Sequence, residues 1–201
     1  MTDILLIIIV YLLGSFPSAL IVGKLFFGKD IRKFGSGNLG STNAFRILGK
    51  GGGISVLVLD IGKGILAAFI ASAFSEHLHP LIISIFALIG HIYPLFAGFR
   101  GGKAVATAGG IVIFFLPAYI ILLIAAFAIS LKLWKMVSLS SSIMAFSLIV
   151  IVWTGDNWGI FTHQLDLTSR VMFSLFAALI IFKHIPNYKR MMQGTENKVN
   201  F

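Results

Sequence analysis

An all-α integral membrane protein is the fold class this sequence predicts, and three observations predict it. Of the 201 residues 58% are hydrophobic and only 11% are charged, whereas a soluble domain carries about 25% charge to cover its surface. The apolar residues fall into runs suited to crossing helices, which need about 20 residues, or somewhat fewer where helices are short or re-entrant. Lysine and arginine are distributed so that one side of such a bundle receives nearly all of them. No polar stretch is long enough for a second domain, so residues 1–201 are expected to form one transmembrane domain. The first apolar run starts at Ile4 with no basic region before it, which does not resemble a detachable signal peptide.

In chain order, the first span covers about 4–22 and contains Pro17, a residue that removes a helix hydrogen bond and kinks the chain. The polar segment 24–52 follows, then a span over about 53–74 that carries Asp60 and Lys63 within it. Residues 76–79 make a turn, 80–99 a third span, and Arg100-Gly101-Gly102-Lys103 a compact basic turn. The apolar stretch 105–131 is long for one helix and contains Leu116-Pro117 near its middle. Further spans cover about 137–153 and, after the loop 154–168, the run to about 182.

The stretch 105–131 decides the topology. If it turns at Leu116-Pro117 there are seven spans, and one side receives 14 basic residues: six from 24–52, two from 100–103, two from 132–135 and four from the tail. The opposite loops then hold Asp3, Glu76, Asp156 and Asp166. If it is one span there are six, and the basic residues split eight against six. Basic loops stay in the cytoplasm, so the expectation is seven helices, the amino terminus outside and the carboxyl terminus inside. The glycine-rich segment, the Arg100–Lys103 turn, the serines after Lys135 and the His184 tail then share the cytoplasmic face. The net charge of +9 belongs to this asymmetry rather than to nucleic-acid binding.

The most polar segment runs from Gly35 to Arg46 and contains Ser36, Gly37, Asn38, Gly40, Ser41, Thr42 and Asn43. Glycines allow positive φ and close backbone approach, and the other side chains are hydrogen-bond donors ending in a fork-shaped cation. That inventory suits a phosphate ester. Gly35-x-Gly37-x-x-Gly40 also matches the dinucleotide fingerprint, but that motif requires a preceding buried strand, and the run before it is long and helix-like. In the second stretch, Gly90-His91 through Lys103 to Thr107, adjacent glycines let the backbone present amides while Lys103 opens a helix, where anions are favoured; a tight turn with basic anchors is the plainer reading. His91, inside an apolar span, is equally consistent with a bond to a neighbouring helix.

Ser138, Ser140, Ser141 and Ser142 begin a helix after Lys135, where serines usually bond back to carbonyls or allow close packing. In the tail, His184, Asn187 and Arg190 stand three residues apart on one face, followed by Gly194 and Glu196, a surface that can close over an anion or face headgroups. Asp60 and Lys63 are spaced to neutralise each other, and intramembrane charge is costly enough to mark a functional or positioning role. The chain lacks cysteine, which excludes disulfides, zinc thiolates and thiol nucleophiles. The histidines are dispersed, so no metal site is expected.

Three ordered motifs resemble one family: Asp30-x-Arg32 with Gly35-Ser36-Gly37-Asn38-x-Gly40-x-Thr42-Asn43-x-x-Arg46; Gly90-His91-x-x-Pro94 with Phe99-x-Gly101-Gly102-Lys103; and Lys183-His184-x-x-Asn187-x-x-Arg190 with Gly194-x-Glu196. In order and spacing they resemble the bacterial acyl-phosphate:glycerol-3-phosphate acyltransferases of phospholipid synthesis, across nearly the whole chain. Ser41 and Ala104 stand where the family more often has alanine and glycine. The resemblance implies transfer of a fatty acyl group from acyl phosphate to the 1-hydroxyl of glycerol 3-phosphate, giving 1-acylglycerol 3-phosphate and phosphate. It implies no cofactor, an inner-membrane location with the site on the cytoplasmic face, membrane lipid as surroundings, and a monomer.

On that reading Arg46, Lys103 and His184 are the catalytic candidates, the two cations holding phosphate charge and His184 serving as general base. A substrate phosphate oxygen is the other candidate base. Ser36, Gly37, Asn38, Thr42, Asn43, Gly101, Gly102, Ser138, Ser141, Asn187, Arg190 and Glu196 are the substrate-binding candidates. The other glycerol-phosphate acyltransferase mechanism uses a His followed five residues later by Asp, and no histidine here has that partner. A transporter or flippase for a phosphate ester is the alternative of a different class; such proteins commonly carry internal repeats and midplane sites, and neither is evident.

Overall fold

Apolar runs in a membrane must satisfy their own backbone, which leaves the helix as the local solution. The computed structural model describes residues 2–158 and 164–199. Among these the chain forms α1 (Asp3–Gly14), α2 (Ser18–Phe27), α3 (Ser41–Phe74), α4 (Pro80–Ile92), α5 (Val105–Phe115), α6 (Ile120–Trp134), α7 (Val137–Thr154), α8 (Leu167–Lys183) and α9 (Ile185–Met192). Two compact units result, Met1–Phe115 and Leu116–Phe201.

Among the described residues, five segments are long and apolar enough to cross a membrane, and a sixth is obtained if α8 and α9, bent by 45°, count as one. The seventh expected span is α5, which at 11 residues is shorter than the others. The apolar stretch does break at Leu116, with a short 3-10 turn over Pro117–Tyr119 before α6. Pro17 also breaks its span, dividing it into α1 and α2. The expected polar connection 24–52 is shorter in fact: α2 continues to Phe27, and α3 begins at Ser41. A break at Gly49, at φ 75°, separates the first turns of α3 from its long apolar part.

In the first unit α1 packs on α4 and α3 on α5, with α3 also touching α1, α2 and α4. Glycines set both main crossings. A methyl group on Gly14 would run into the backbone of Ala87, and one on Gly90 into the Tyr11 carbonyl. Likewise Gly64 lies against the Thr107 carbonyl and Gly110 against that of Ile61. Without a hydrophobic force between helices in lipid, such backbone approach supplies the packing. The Asp3 carboxylate accepts the amides of Glu76, His77 and Leu78 at 3.0, 3.0 and 2.8 Å, tying the start of α1 to the α3–α4 turn.

In the second unit α7 packs against α6 and α8. Arg170, in the first turns of α8, pairs with Asp156 and donates to the carbonyls of Val152 and Leu165 at 2.8 and 3.0 Å. It was absent from the charge count made on the sequence, and this pairing neutralises it.

The crossing of α3 and α5 is directly testable. Gly110→Ala places a methyl group where backbone already stands, and overpacking of this kind costs about 1–3 kcal/mol. Its thermal midpoint in detergent should fall, while Gly109→Ala, whose Cβ meets nothing within 4 Å, should leave the midpoint within a degree or two of wild type.

Candidate active site

The segment 28–40 is shaped by Asn43. Its side chain is 2% exposed; the amide nitrogen donates to the carbonyls of Ile31 and Phe34 at 3.3 and 3.2 Å, and its oxygen accepts the Ser36 amide at 3.0 Å. Gly35 and Gly37 take φ of 60° and 69°, and a Cβ on Gly35 would meet the Asn43 oxygen. Asn43 therefore acts as the internal clamp of this loop. Beside Asn43 in the first turns of α3, Thr42 and Arg46 are exposed and four residues apart, so they share one side. Ser36 and Gly37 are exposed as well, while the side-chain Oδ1 of Asn38 is buried with no hydrogen-bond partner.

A cleft of about 370 Å³ beside this loop is lined by Asp30, Arg32, Lys33, Gly37 and Arg100. Asp30 and Arg32 form a two-point pair at 2.9 and 2.6 Å. The hydrogen bond from Arg32 holds the Asp30 carboxyl down at about 2, so the Arg32 fork is fixed in place. Lys33 was not singled out from sequence, and Arg100 was read as part of the basic turn without being a substrate-binding candidate; a basic residue in a basic segment gives no further signal until a cleft gathers it.

The basic turn differs from its sequence reading. The Gly101 and Gly102 amides point inward, donating to the carbonyls of Ile92 and His91 at 3.2 and 3.0 Å. They close the end of α4 instead of facing outward to an anion. A Cβ on Gly101 would strike the His91 carbonyl and one on Gly102 the His91 ring. Phe99 and Ala104, on either side, both take φ of 60°, where a residue with a side chain costs about 1–2 kcal/mol. Lys103, part-exposed, stands two residues before α5.

Beneath this turn lies a buried polar group. Asp60 Oδ1 is 2.9 Å from Lys63 Nζ, accepts from Ser18 Oγ at 2.8 Å and lies 3.7 Å from His91 Nδ1. Thr107 Oγ1 is 3.1 Å from the same His91 nitrogen, and Lys63 donates to the Phe16 carbonyl at 3.1 Å. Ser18 escaped sequence reasoning, and Thr107 closed the second stretch without a role, because a hydroxyl in an apolar helix ordinarily bonds back to its own backbone.

In the second unit the tail candidates do converge. Glu196 Oε1 accepts from Ser138 Oγ at 2.6 Å and from Asn187 Nδ2 at 2.7 Å, and Oε2 accepts from Arg190 Nε at 2.8 Å. The anion these groups meet is the chain's own carboxylate. Burial works to raise the Glu196 pKa, but the three donors outweigh it and hold the carboxyl below its ordinary value. The backbone amide of Val199 bonds to the Lys135 carbonyl at 2.7 Å, fastening the tail to the start of α7. Ser141 is buried on α7, and Ser142 accepts from the Tyr188 hydroxyl at 2.6 Å. His184, 2% exposed at the α8–α9 bend, has Nδ1 2.7 Å from the Ile180 carbonyl. A carbonyl only accepts, so Nδ1 carries hydrogen and Nε2 is the basic nitrogen of the neutral ring.

Comparison with known proteins agrees with this arrangement of motifs. A family profile described as glycerol-3-phosphate acyltransferase matches residues 4–194. Curated relatives of that name include those of Geobacillus kaustophilus, 46% identical over 98% of this chain and 96% of its own length, and Bacillus subtilis, 45% identical over 98% and 97%. Among solved structures, the crystal structure of PlsY, an integral membrane glycerol 3-phosphate acyltransferase, in its glycerol 3-phosphate form superposes with a TM-score of 0.88 at 33% identity, covering 98% of this chain and 96% of that one. Its lysophosphatidic acid form gives 0.84 at 32% identity, over 98% and 95%. With matching motifs, matching fold and near-complete coverage, this chain belongs to the glycerol-3-phosphate acyltransferase family of multi-pass bacterial membrane proteins.

Proposed function

We propose that this protein transfers a fatty acyl group from acyl phosphate to the 1-hydroxyl of glycerol 3-phosphate, the first acylation in phospholipid synthesis. The observation that carries the reading is the combination of exposed phosphate-suited groups, Ser36, Thr42, Arg46 and the Arg32–Lys33–Arg100 cleft, with a chain of apolar, membrane-length helices. Relatives of the same fold have been solved in glycerol 3-phosphate and lysophosphatidic acid forms, which supports the acceptor and the product. The donor follows from the family resemblance. The hydroxyl oxygen attacks the acyl carbonyl carbon, the new ester C–O bond forms, the bond from that carbon to the phosphate oxygen breaks, and inorganic phosphate leaves. An acyl phosphate is already an activated anhydride, so no covalent enzyme intermediate is needed.

Arg46 and Lys103 hold phosphate charge and offset what develops on the leaving group. Ser36, Gly37, Asn38 and Thr42 orient phosphate, and Asn43 fixes the loop they stand on. Gly101 and Gly102 support the Lys103 turn from within, while Ser138, Ser141, Asn187, Arg190 and Glu196 form the corresponding scaffold in the tail, with His184 Nε2 taking the hydroxyl proton. For topology we retain seven spans, with α5 as a short one, the amino terminus outside and the chemistry on the cytoplasmic face of the bacterial inner membrane, acting as a monomer among membrane lipids without a cofactor. The distribution of basic residues supports this.

With purified protein in lipid, palmitoyl phosphate and glycerol 3-phosphate should yield phosphate and lysophosphatidate in equal amounts, with acyl-CoA inert and Lys103→Ala inactive. Saturable uptake of a phosphate ester without either product would instead indicate a transporter. His184→Ala should lower kcat by roughly 10²–10⁴-fold; an effect confined to KM would assign the proton to a substrate oxygen and leave His184 a binding role.

The tail should respond to acid. Because the folded Glu196 carboxyl lies below its unperturbed value of 4.5, its contribution is complete above that pH and is lost as pH falls through the folded value. Hydrogen exchange at the Thr195 and Val199 amides, corrected for intrinsic rates, should accelerate only below about pH 4.5 in wild type and be fast at every pH in Glu196→Gln.

A further inference from the structure

We propose that the buried network of Ser18, Asp60, Lys63, His91 and Thr107 is a positioning device for the turn that carries Lys103, and that Thr107 is the member that holds the His91 ring from α5. The inference deepens the acyltransfer reading and rests on it for the role of Lys103. Its structural part stands independently.

Charges inside a membrane helix are expensive, and an ion pair there is often no more stabilising than apolar residues of the same size. Asp60 and Lys63 are 1% and 6% exposed, and Asp60 Oδ2 is buried with no hydrogen-bond partner. Stability alone does not explain such a pair. Its geometry does. The pair reaches α2 through Ser18 and the Phe16 carbonyl at the Pro17 break, and α4 through His91. His91 in turn reaches α5 through Thr107. Four helices of one unit thus meet at one carboxylate and one imidazole.

The His91 residue then carries that order to the turn. Its carbonyl accepts the Gly102 amide at 3.0 Å, and its ring lies where any Cβ on Gly102 would have to sit. A rotation of the ring, or a shift of the α4 end, must move Gly102 and with it the next residue, Lys103. Thr107 fixes the ring from the other side of the same turn, since it lies in the first turn of α5 and is completely buried. The charged pair, the imidazole and the threonine therefore hold both ends of the Arg100–Ala104 segment in register. Phe99 and Ala104 are kept at positive φ, a conformation that persists only where its surroundings over-determine it.

Thr107→Val keeps the shape and removes the hydroxyl, and Thr107→Ser restores it. Hydrogen exchange without substrate should show the Gly101 and Gly102 amides about tenfold less protected in Thr107→Val, from the loss of one hydrogen bond, with protection in α1 unchanged. Acyltransfer kcat/KM should fall by about the same factor, and Thr107→Ser should recover both. Unchanged protection at the two glycines, an equal loss across α1 and α4, or a Thr107→Ser variant as impaired as Thr107→Val would each overturn the proposal. Because exchange is read without substrate, it decides the positioning claim even if palmitoyl phosphate and glycerol 3-phosphate give no product, a result that would count against the proposed reaction alone.

Discussion

The contact between Lys63 and Asp60 is the interaction on which the first unit depends. Lipid offers no hydrogen bonds to a broken helix, so every backbone group freed by Pro17 has to find a partner inside the protein. Lys63 supplies one by donating to the Phe16 carbonyl, while Asp60 balances the lysine and accepts from Ser18 just beyond the break. Removing either charge leaves the other uncompensated, which is far more costly than never having had the pair. The break between α1 and α2, the register of α3 and the position of His91 are consequently linked.

Glycine provides the complementary constraint. Gly64 and Gly110 bring the α3 and α5 backbones together, and this close crossing lets Thr107 on α5 reach a ring on α4 that also faces Asp60 on α3. With larger residues at the crossing, the polar side chains would be too short to meet. Small residues and buried charge serve one purpose here: close packing gives the network its reach, and the network gives the packing a unique register.

Much of this was legible from residue order. Apolar runs marked the helices, Pro17 and Leu116-Pro117 marked two breaks, and the i, i+3 spacing of Asp60 and Lys63 anticipated their pairing. Other features were hidden for physical reasons. Residues 41–52 are polar and glycine-rich, a composition that reads as loop, yet Gly40 precedes a helix there and a single positive-φ glycine, Gly49, carries the break. Asn43 looked like a ligand-binding amide because its type and setting match one; only burial reveals that its hydrogen bonds close the loop. The Gly101 and Gly102 amides misled in the same way, since sequence shows that a backbone is accessible but not which direction its N–H bonds point.

In the tail the candidate donors already have an anionic neighbour within the chain. Ser138, Asn187 and Arg190 are donors that suit an anion, and they do surround one, but it is Glu196. Three donors on a single carboxylate hold α7, α9 and the segment after α9 together near His184. The imidazole itself is oriented by Ile180, one turn earlier in α8. A hydrogen bond to a backbone carbonyl fixes the tautomer as well as the ring plane. The bend at His184 ends the apolar helix where the ring is held from behind, and it turns α9 so that Asn187 and Arg190 meet the carboxylate that follows them.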